Sequence, residues 1–401
     1  MEARKQMGHF GFAIFAGLIG SCGIETTKEA TEDSGVSTQT SVSTGVTTGT
    51  STSSKTSAET TNKVSTVASV AELKLAGTLA ITLPDAFKGA PKTSGLALMA
   101  GKKSQEACMM GMTISEEVRS LGEVGGFFCH IELEKDRVKF GRKYRIMTNM
   151  GEFARIFIDN SQASQGKLSL GFCSTHSQGG ETDRSRQLIT IDQLTENGPK
   201  GSILTAGSGT YQGISQTYGK SQSFDSSVAG VINLVGKTMH KQTGNTFVRE
   251  VSLELKKSGI STLKLANKGT STGGEFFDRG LALVAPDKGA ALFQSKGTFQ
   301  GQSFEFARRA YFNTAGEVLN ASDVGPELQP AVAAMPPYLP ADFAPDTLTG
   351  WVGQDCPDFD EDVTIDPNSP AHQACDQGRD QQYDCWQQAN YESGKEDVLI
   401  K

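Results

Sequence analysis

The run Phe247-Val248-Arg249-Glu250-Val251-Ser252-Leu253-Glu254-Leu255 constrains the fold more than any other stretch. Its odd positions are mostly apolar and its even ones mostly polar, the two-residue period of a strand with one packed face and one wet face. Strand signals recur in Phe127–Leu133, Lys143–Met147, Phe153–Ile158, Lys167–Phe172, Leu188–Ile191, Val228–Val235, Thr262–Leu265, Leu281–Val284, Ala290–Phe293 and Phe304–Phe312. An upstream alternation sets Leu73, Leu75, Leu79, Ile81 and Leu83 against Lys74, Thr78 and Thr82, and places the domain start near Ser69. Short links with Gly, Asn, Asp and Lys separate the runs, as hairpins require. Long helical periods between strands are missing, which argues against a parallel α/β sheet. One short helix is predicted after Thr113, where Thr113-x-x-Glu116 has the form of a capping box ahead of Val118 and Leu121. The expected class is all-β and mainly antiparallel: one large curled sheet over 69–320, as a barrel, half-barrel or sandwich.

A weak internal repeat supports this reading. Gly209-Thr210-Tyr211-Gln212-Gly213 recurs as Gly297-Thr298-Phe299-Gln300-Gly301 and as Gly269-Thr270-Ser271-Thr272-Gly273, and Phe276 and Phe304 align beyond the last two. The plain interpretation is one hairpin solution used repeatedly. The sharper one is a repeated carbohydrate or ligand contact built on Tyr211 and Phe299.

After Asn320 the composition changes. Pro326, Pro330, Pro336, Pro337, Pro340 and Pro345 leave room for at most a short helix around Glu327–Met335. Between Asp355 and Glu392 eight Asp and two Glu face one Arg, a net charge of −9. The whole chain carries −7, so the remainder is +2 and the acidity sits in the tail, 321–401. Clustered cations for phosphate neutralisation are missing, and a nucleic-acid partner is not expected.

The N-terminus sets an address. Arg4 and Lys5 precede an apolar core from Phe10 to Ile19, followed by the small pair Gly20-Ser21, the layout of a secretory signal over 1–21. Ten helical residues rise about 15 Å, half of a ~30 Å hydrocarbon core, so a permanent span is not expected there. Ile19-Gly20-Ser21-Cys22 resembles a bacterial lipobox. That resemblance covers the first 22 residues and implies that Cys22 takes a diacylglyceryl group and becomes the acylated N-terminus. In Gram-negative lipoproteins an Asp after the cysteine usually marks inner-membrane retention, so Gly23 implies the outer membrane. Residues 26–66 hold 23 Ser or Thr in 41 positions and almost no large apolar side chain, and 22–68 is read as a disordered tether. O-glycosylation of that tether is the alternative to a plain spacer.

With Cys22 assigned to lipid, six cysteines remain: Cys108, Cys129 and Cys173 in the body, and Cys356, Cys375 and Cys385 in the tail. An even number in an exported chain suggests disulfides, with fifteen possible connectivities. Three cysteines cannot all pair within one group, so full oxidation needs one or three bonds between tail and body. The tail is thereby expected to pack on the β domain.

Patterns with catalytic or metal-binding form are read mostly as structural. Gly269-x-Ser271-x-Gly273 matches a nucleophile elbow, but Gly274-Glu275-Phe276-Phe277 follows as extended chain rather than helix. Gly230-x5-Gly236-Lys237-Thr238 misses a phosphate loop, because Val231-Ile232-Asn233-Leu234-Val235 reads as a strand. Cys129-His130 with Cys173-x-x-His176 has zinc-ligand types, yet neighbours on a strand point to opposite faces. Asp358, Asp360, Asp362 and Asp366 occupy four calcium-loop positions, but Val363 stands where a Gly is needed and Ser369 where a bidentate Glu belongs. They remain weak Ca²⁺ candidates and no metal site is firm. No cofactor is expected and no catalytic residue is assigned.

The expected function is that of an outer-membrane-anchored lipoprotein, held to the membrane by its lipid. Its body is read as a non-enzymatic binding or structural module of the cell envelope that shelters a lipid or apolar ligand in the curled sheet. The alternative is a surface module contacting carbohydrate or an envelope protein. An envelope hydrolase comes third, since paired carboxylates are placed by the fold rather than by spacing. The first two differ in one respect: a carrier needs an unfilled apolar face, and a contact module needs a filled core with exposed aromatic side chains.

Overall fold

The computed structural model describes residues 129–343 and 356–376 with short gaps, parts of 103–120, and the short strands at 391–392 and 396–397. Strand β1 (Lys103–Ser104) is followed by twelve strands that build one antiparallel meander. These are β2 (Lys143–Thr148), β3 (Gly151–Asp159), β4 (Leu168–Gln178), β5 (Glu181–Thr195), β6 (Gly198–Tyr211) and β7 (Ile214–Asp225). Then come β8 (Val231–Gln242), β9 (Asn245–Lys256), β10 (Ser261–Ser271), β11 (Gly274–Val284), β12 (Lys288–Phe299) and β13 (Gln302–Asn313). The tail adds β14 (Glu361–Thr364) parallel to β2 at one end and β16 (Glu396–Asp397) beside β13 at the other, so the sheet is open. A separate parallel pair joins β1 to β15 (Tyr391–Glu392). The class is all-β and mainly antiparallel, as one large curled sheet. It is not a closed barrel.

Alternation assigns the two faces. Inward-facing Val251, Leu253 and Leu255 of β9 join Leu263 and Leu265 of β10, Ile189 of β5, Leu170 of β4 and Ile156 of β3 in one continuous core. That core also holds Met110, Ile114, Ile131 and Val138. The described residues between 106 and 120 are helical, and they lie over the inner face. Gly236 and Gly280 mark the contact: a Cβ at Gly236 would lie 2.5 Å from Glu117 Oε2, and one at Gly280 would meet Met110 Cε.

The outer face is crossed by the Pro-rich segment, which runs back from β13 as three single 3-10 turns at Ala321–Asp323, Pro326–Leu328 and Val332–Ala334. Val324 and Leu328 pack on Ala290 and Tyr311, Met335 on Leu281 and Leu292, and Leu339 on Val248 and Ala266. Tyr338 lies under the cations of Arg279 and Lys296, 4.8 and 4.2 Å from its ring centroid. Prolines suit this course because the segment follows side chains across the strands and needs no ladder of its own.

Three local expectations are corrected. Thr113 lies within the helical stretch, and its hydroxyl donates to the Met109 carbonyl at 3.1 Å instead of capping an N-terminus. Phe127–Leu133 is not a strand: its described residues 129–133 are helical, and Ile131 packs in the core. An apolar run this short fits either period, and the contact with the sheet decides it. Val228–Val235 begins as a turn, with β8 starting at Val231. The upstream strand around Leu73 and the tether lie outside the described residues, as do Cys22, Cys108 and Cys385. Among the described residues no helix is long and apolar enough to cross a membrane.

Candidate functional site

The hairpins β6–β7, β8–β9, β10–β11 and β12–β13 turn at the same end of the sheet. Close to those turns, the register places one residue from each of eight strands in a single row on the inner face. The row reads Gly207, Tyr218, His240, Phe247, Gly269, Phe276, Gly297 and Phe304. All five rings are half-buried. Rings from Tyr218, Phe247, Phe276 and Phe304 occur at every second strand, roughly 9–10 Å apart for strands spaced about 4.8 Å.

The glycines set the attitude of the rings. A Cβ built at Gly207 would fall inside the Tyr218 ring, and one at Gly269 inside the Phe276 ring. Each ring therefore lies over its cross-strand glycine, in the space a Cβ would take. Phe299 does the same over Gly273, where a Cβ would lie 3.1 Å from its Cε2. The rings form a shelf. Burial lowers the pKa of His240, which keeps its imidazole neutral near pH 7.

On the hairpin side the next inward-facing positions are Gln216, Gln242, Asn245, Ser271, Phe299 and Gln302, none of them charged. On the other side lies a polar row: Lys220, Thr238, Arg249, Asn267, Asp278 and Ser295. The helical segment supplies its acidic counterparts. Glu116 Oε2 pairs with Arg249 at 2.5 Å, and Glu117 Oε2 with Lys220 Nζ at 3.1 Å. Gln222 Nε2 donates to Glu117 Oε2 at 2.6 Å, and Lys220 Nζ donates to the Ser120 hydroxyl at 2.7 Å. Asp278 is 5% exposed, and burial raises its carboxyl to about 7 against the opposing pull of Ser295, Asn267 and the Arg249 charge. These charges bind the helix to the sheet.

A second cluster joins tail and body. Cys129 is bonded to Cys375 and Cys173 to Cys356, two bridges that both link body and tail. Those bonds remove both sulfurs from the zinc pattern. His130 instead meets His372, Nδ1 to Nδ1 at 2.8 Å, and His372 Nε2 lies 3.3 Å from Glu134 Oε1. The acidic run does other work than wrapping an ion. Asp362 accepts from Arg145 Nε and Nη2 at 2.8 and 2.6 Å, Asp360 Oδ2 accepts from the Lys143 amide at 2.9 Å, and Asp366 Oδ1 from the Asn368 amide at 3.0 Å. Asp358 is exposed. Among the described residues no group of three or more His, Cys, Asp or Glu converges as a metal site.

The repeat occupies strand ends and hairpins. Ser271 Oγ accepts from the Gly273 amide at 3.2 Å, closing its own turn rather than facing a base. Gly230 to Thr238 is a turn leading into β8, not a phosphate cradle. Tyr211 ends β6, and its side chain lies outside the described residues. The shelf was not assigned from sequence; its one visible trace is the alignment of Phe276 with Phe304 behind the repeat.

Comparisons with protein-family models, with curated proteins and with solved structures find no match. The arrangement has to be read from its own chemistry.

Proposed function

We propose that this chain is an exported lipoprotein of the outer membrane, anchored through Cys22 and carrying a non-enzymatic contact module beyond its Ser/Thr-rich tether. The single observation that carries the choice of module is the filled inner face. Met110, Ile114, Ile131 and Val138 occupy the apolar side of the sheet that a lipid carrier would keep for its cargo. The half-buried rings at the hairpin end suit contact with a partner of the cell envelope. The two tail-to-body disulfides suit an oxidising compartment.

Expression of the full chain in a Gram-negative host with a metabolically incorporated alkyne fatty acid tests the anchor. The wild type is expected to carry the label and to fractionate with the outer membrane, and Cys22→Ser to lose both. An unlabelled wild type recovered outside the membrane fraction would overturn the proposal.

A further inference from the structure

We infer that the contact between His130 and His372 is a proton-controlled latch, which closes the tail on the body near neutral pH and releases the tail helix in mild acid. The device goes beyond the contact-module reading and holds whatever the module contacts. The tail helix, Pro370–Asp376, carries His372 and, one turn on, Cys375. The helical residues 129–133 carry Cys129 and His130 side by side. The Cys129–Cys375 bond thus keeps the two histidines opposite each other across the seam between tail and body. Their Nδ1 atoms are 2.8 Å apart, and their ring centroids 5.0 Å apart with the planes 19° from parallel. That centroid distance is close to the largest that a 2.8 Å nitrogen contact allows, so the rings meet head-on rather than face to face.

A head-on contact between two nitrogens holds one proton. The Glu134 carboxylate, 3.3 Å from His372 Nε2, assigns a hydrogen to that nitrogen, which leaves His372 Nδ1 to accept and His130 Nδ1 to donate. One added proton is tolerated, because a charged His130 still donates. A second has to go to His372 Nδ1, where it sets N–H against N–H and one imidazolium against another. Glu134 holds a charged His372 through Nε2 as well as a neutral one, but it cannot restore the Nδ1 contact. One further charge joins the line: Arg137 donates to Glu134 Oε2 at 3.0 Å and to the Thr364 carbonyl at the end of β14 at 2.9 Å. Glu132 lies on the same helical stretch as His130, and Asp366 lies ahead of the tail helix, where its carboxylate accepts from the Asn368 amide at 3.0 Å. Open, the two imidazoles take up two protons below about pH 6.5; closed, the contact admits one. The open form therefore binds more protons in acid, and the closed form loses stability as pH falls.

Reduction of the full, folded chain by a water-soluble phosphine tests the latch, because Cys375 is 6% exposed and its bridge is shielded while the seam is closed. The rate at Cys129–Cys375 is read against the rate at Cys173–Cys356 in the same molecules, by trapping the freed thiols with maleimide and mapping them by mass spectrometry. The ratio cancels the reagent's own pH dependence. From about pH 7.5 to about pH 5 it is expected to rise at least about tenfold, the reach of one proton over about 1.5 pH units below the free-histidine value. His130→Asn sets an amide near the place of Nδ1, able to donate to a neutral His372 and to accept from a charged one. That variant is expected to stay closed and to flatten the change to less than about twofold. A wild-type ratio that stays constant overturns the latch, and so does a rise at both bridges together, which reports acid loosening of the whole fold. A rise in His130→Asn equal to that of the wild type overturns it as well.

Discussion

Replacing Asp278 with asparagine isolates the most heavily perturbed group in the polar row behind the shelf. Its carboxyl is raised from 3.8 to about 7, first by burial, with Ser295, Asn267 and Arg249 acting against the rise. A raised carboxyl pKa means that the folded state holds a proton which the unfolded chain gives up. Below about pH 4 both states are protonated, and the stability contributed by the neutral side chain is fully present. It is lost as pH rises toward about 7, where the native carboxyl itself ionises. The step from 3.8 to about 7 corresponds to about 4 kcal/mol, at about 1.4 kcal/mol per factor of ten. Asparagine has the same shape and never ionises. Asp278→Asn is therefore expected to match the wild type near pH 4 and to exceed it by up to about 4 kcal/mol near pH 8. Guanidinium unfolding of both proteins across this range, followed by circular dichroism, reads the difference free of every other titrating group. A gap that stays constant with pH would refute the assignment of a buried, protonated Asp278.

Other consequences follow from the packing. Gly236→Ala pushes a Cβ against the buried Glu117 carboxylate and is expected to destabilise by about 1–3 kcal/mol in the same unfolding assay, because that carboxylate is fixed by Lys220 and Gln222. Gln300, which begins the β12–β13 turn with φ 49° ahead of Gly301 at 77°, pays the left-handed penalty that Asn bears better, so Gln300→Asn is expected to stabilise by about 0.5 kcal/mol. Removing one tail bridge as Cys129→Ser with Cys375→Ser opens a link spanning 246 residues, and is expected to cost about 2–5 kcal/mol. With two bridges already joining tail and body, the parity of the cysteines predicts a third between Cys108 and Cys385. Thiol titration of the unfolded, unreduced chain is expected to find no free cysteine, and two free thiols would refute it.

Legibility tracked how local each feature is. β9 is readable because Val251, Leu253 and Leu255 face the core while Ser252 is exposed, so the alternation in the sequence is the alternation of the faces. The hairpin reading of the Gly-Thr-aromatic-Gln-Gly repeat rests on the same local logic, and Ser271 closes a turn as that logic requires. The short helix predicted after Thr113 is there, but the described residues are helical already from 106, and the start is hidden because Met110 and Ile114 share the inner side with Glu116 and Glu117. Their pairing with Arg249 and Lys220 lies more than a hundred residues away. The shelf is hidden for a stronger reason. Its residues come from eight strands, and only the pairing register aligns Gly207 with Tyr218 and Gly269 with Phe276. A one-residue slip would turn every ring to the other face. The acidic tail shows the reverse difficulty: the spacing of its aspartates imitates an ion loop, while β14 extends along β2 and spends Asp362 on Arg145.

The choice between a filled contact module and a lipid carrier is tested most directly by native mass spectrometry of the chain released from the outer membrane, with its disulfides intact. The account predicts one species, the acylated chain with all six remaining cysteines oxidised and no further bound mass. A second species heavier by an extractable lipid would contradict it, because Met110, Ile114, Ile131 and Val138 would then have to leave the inner face to make room.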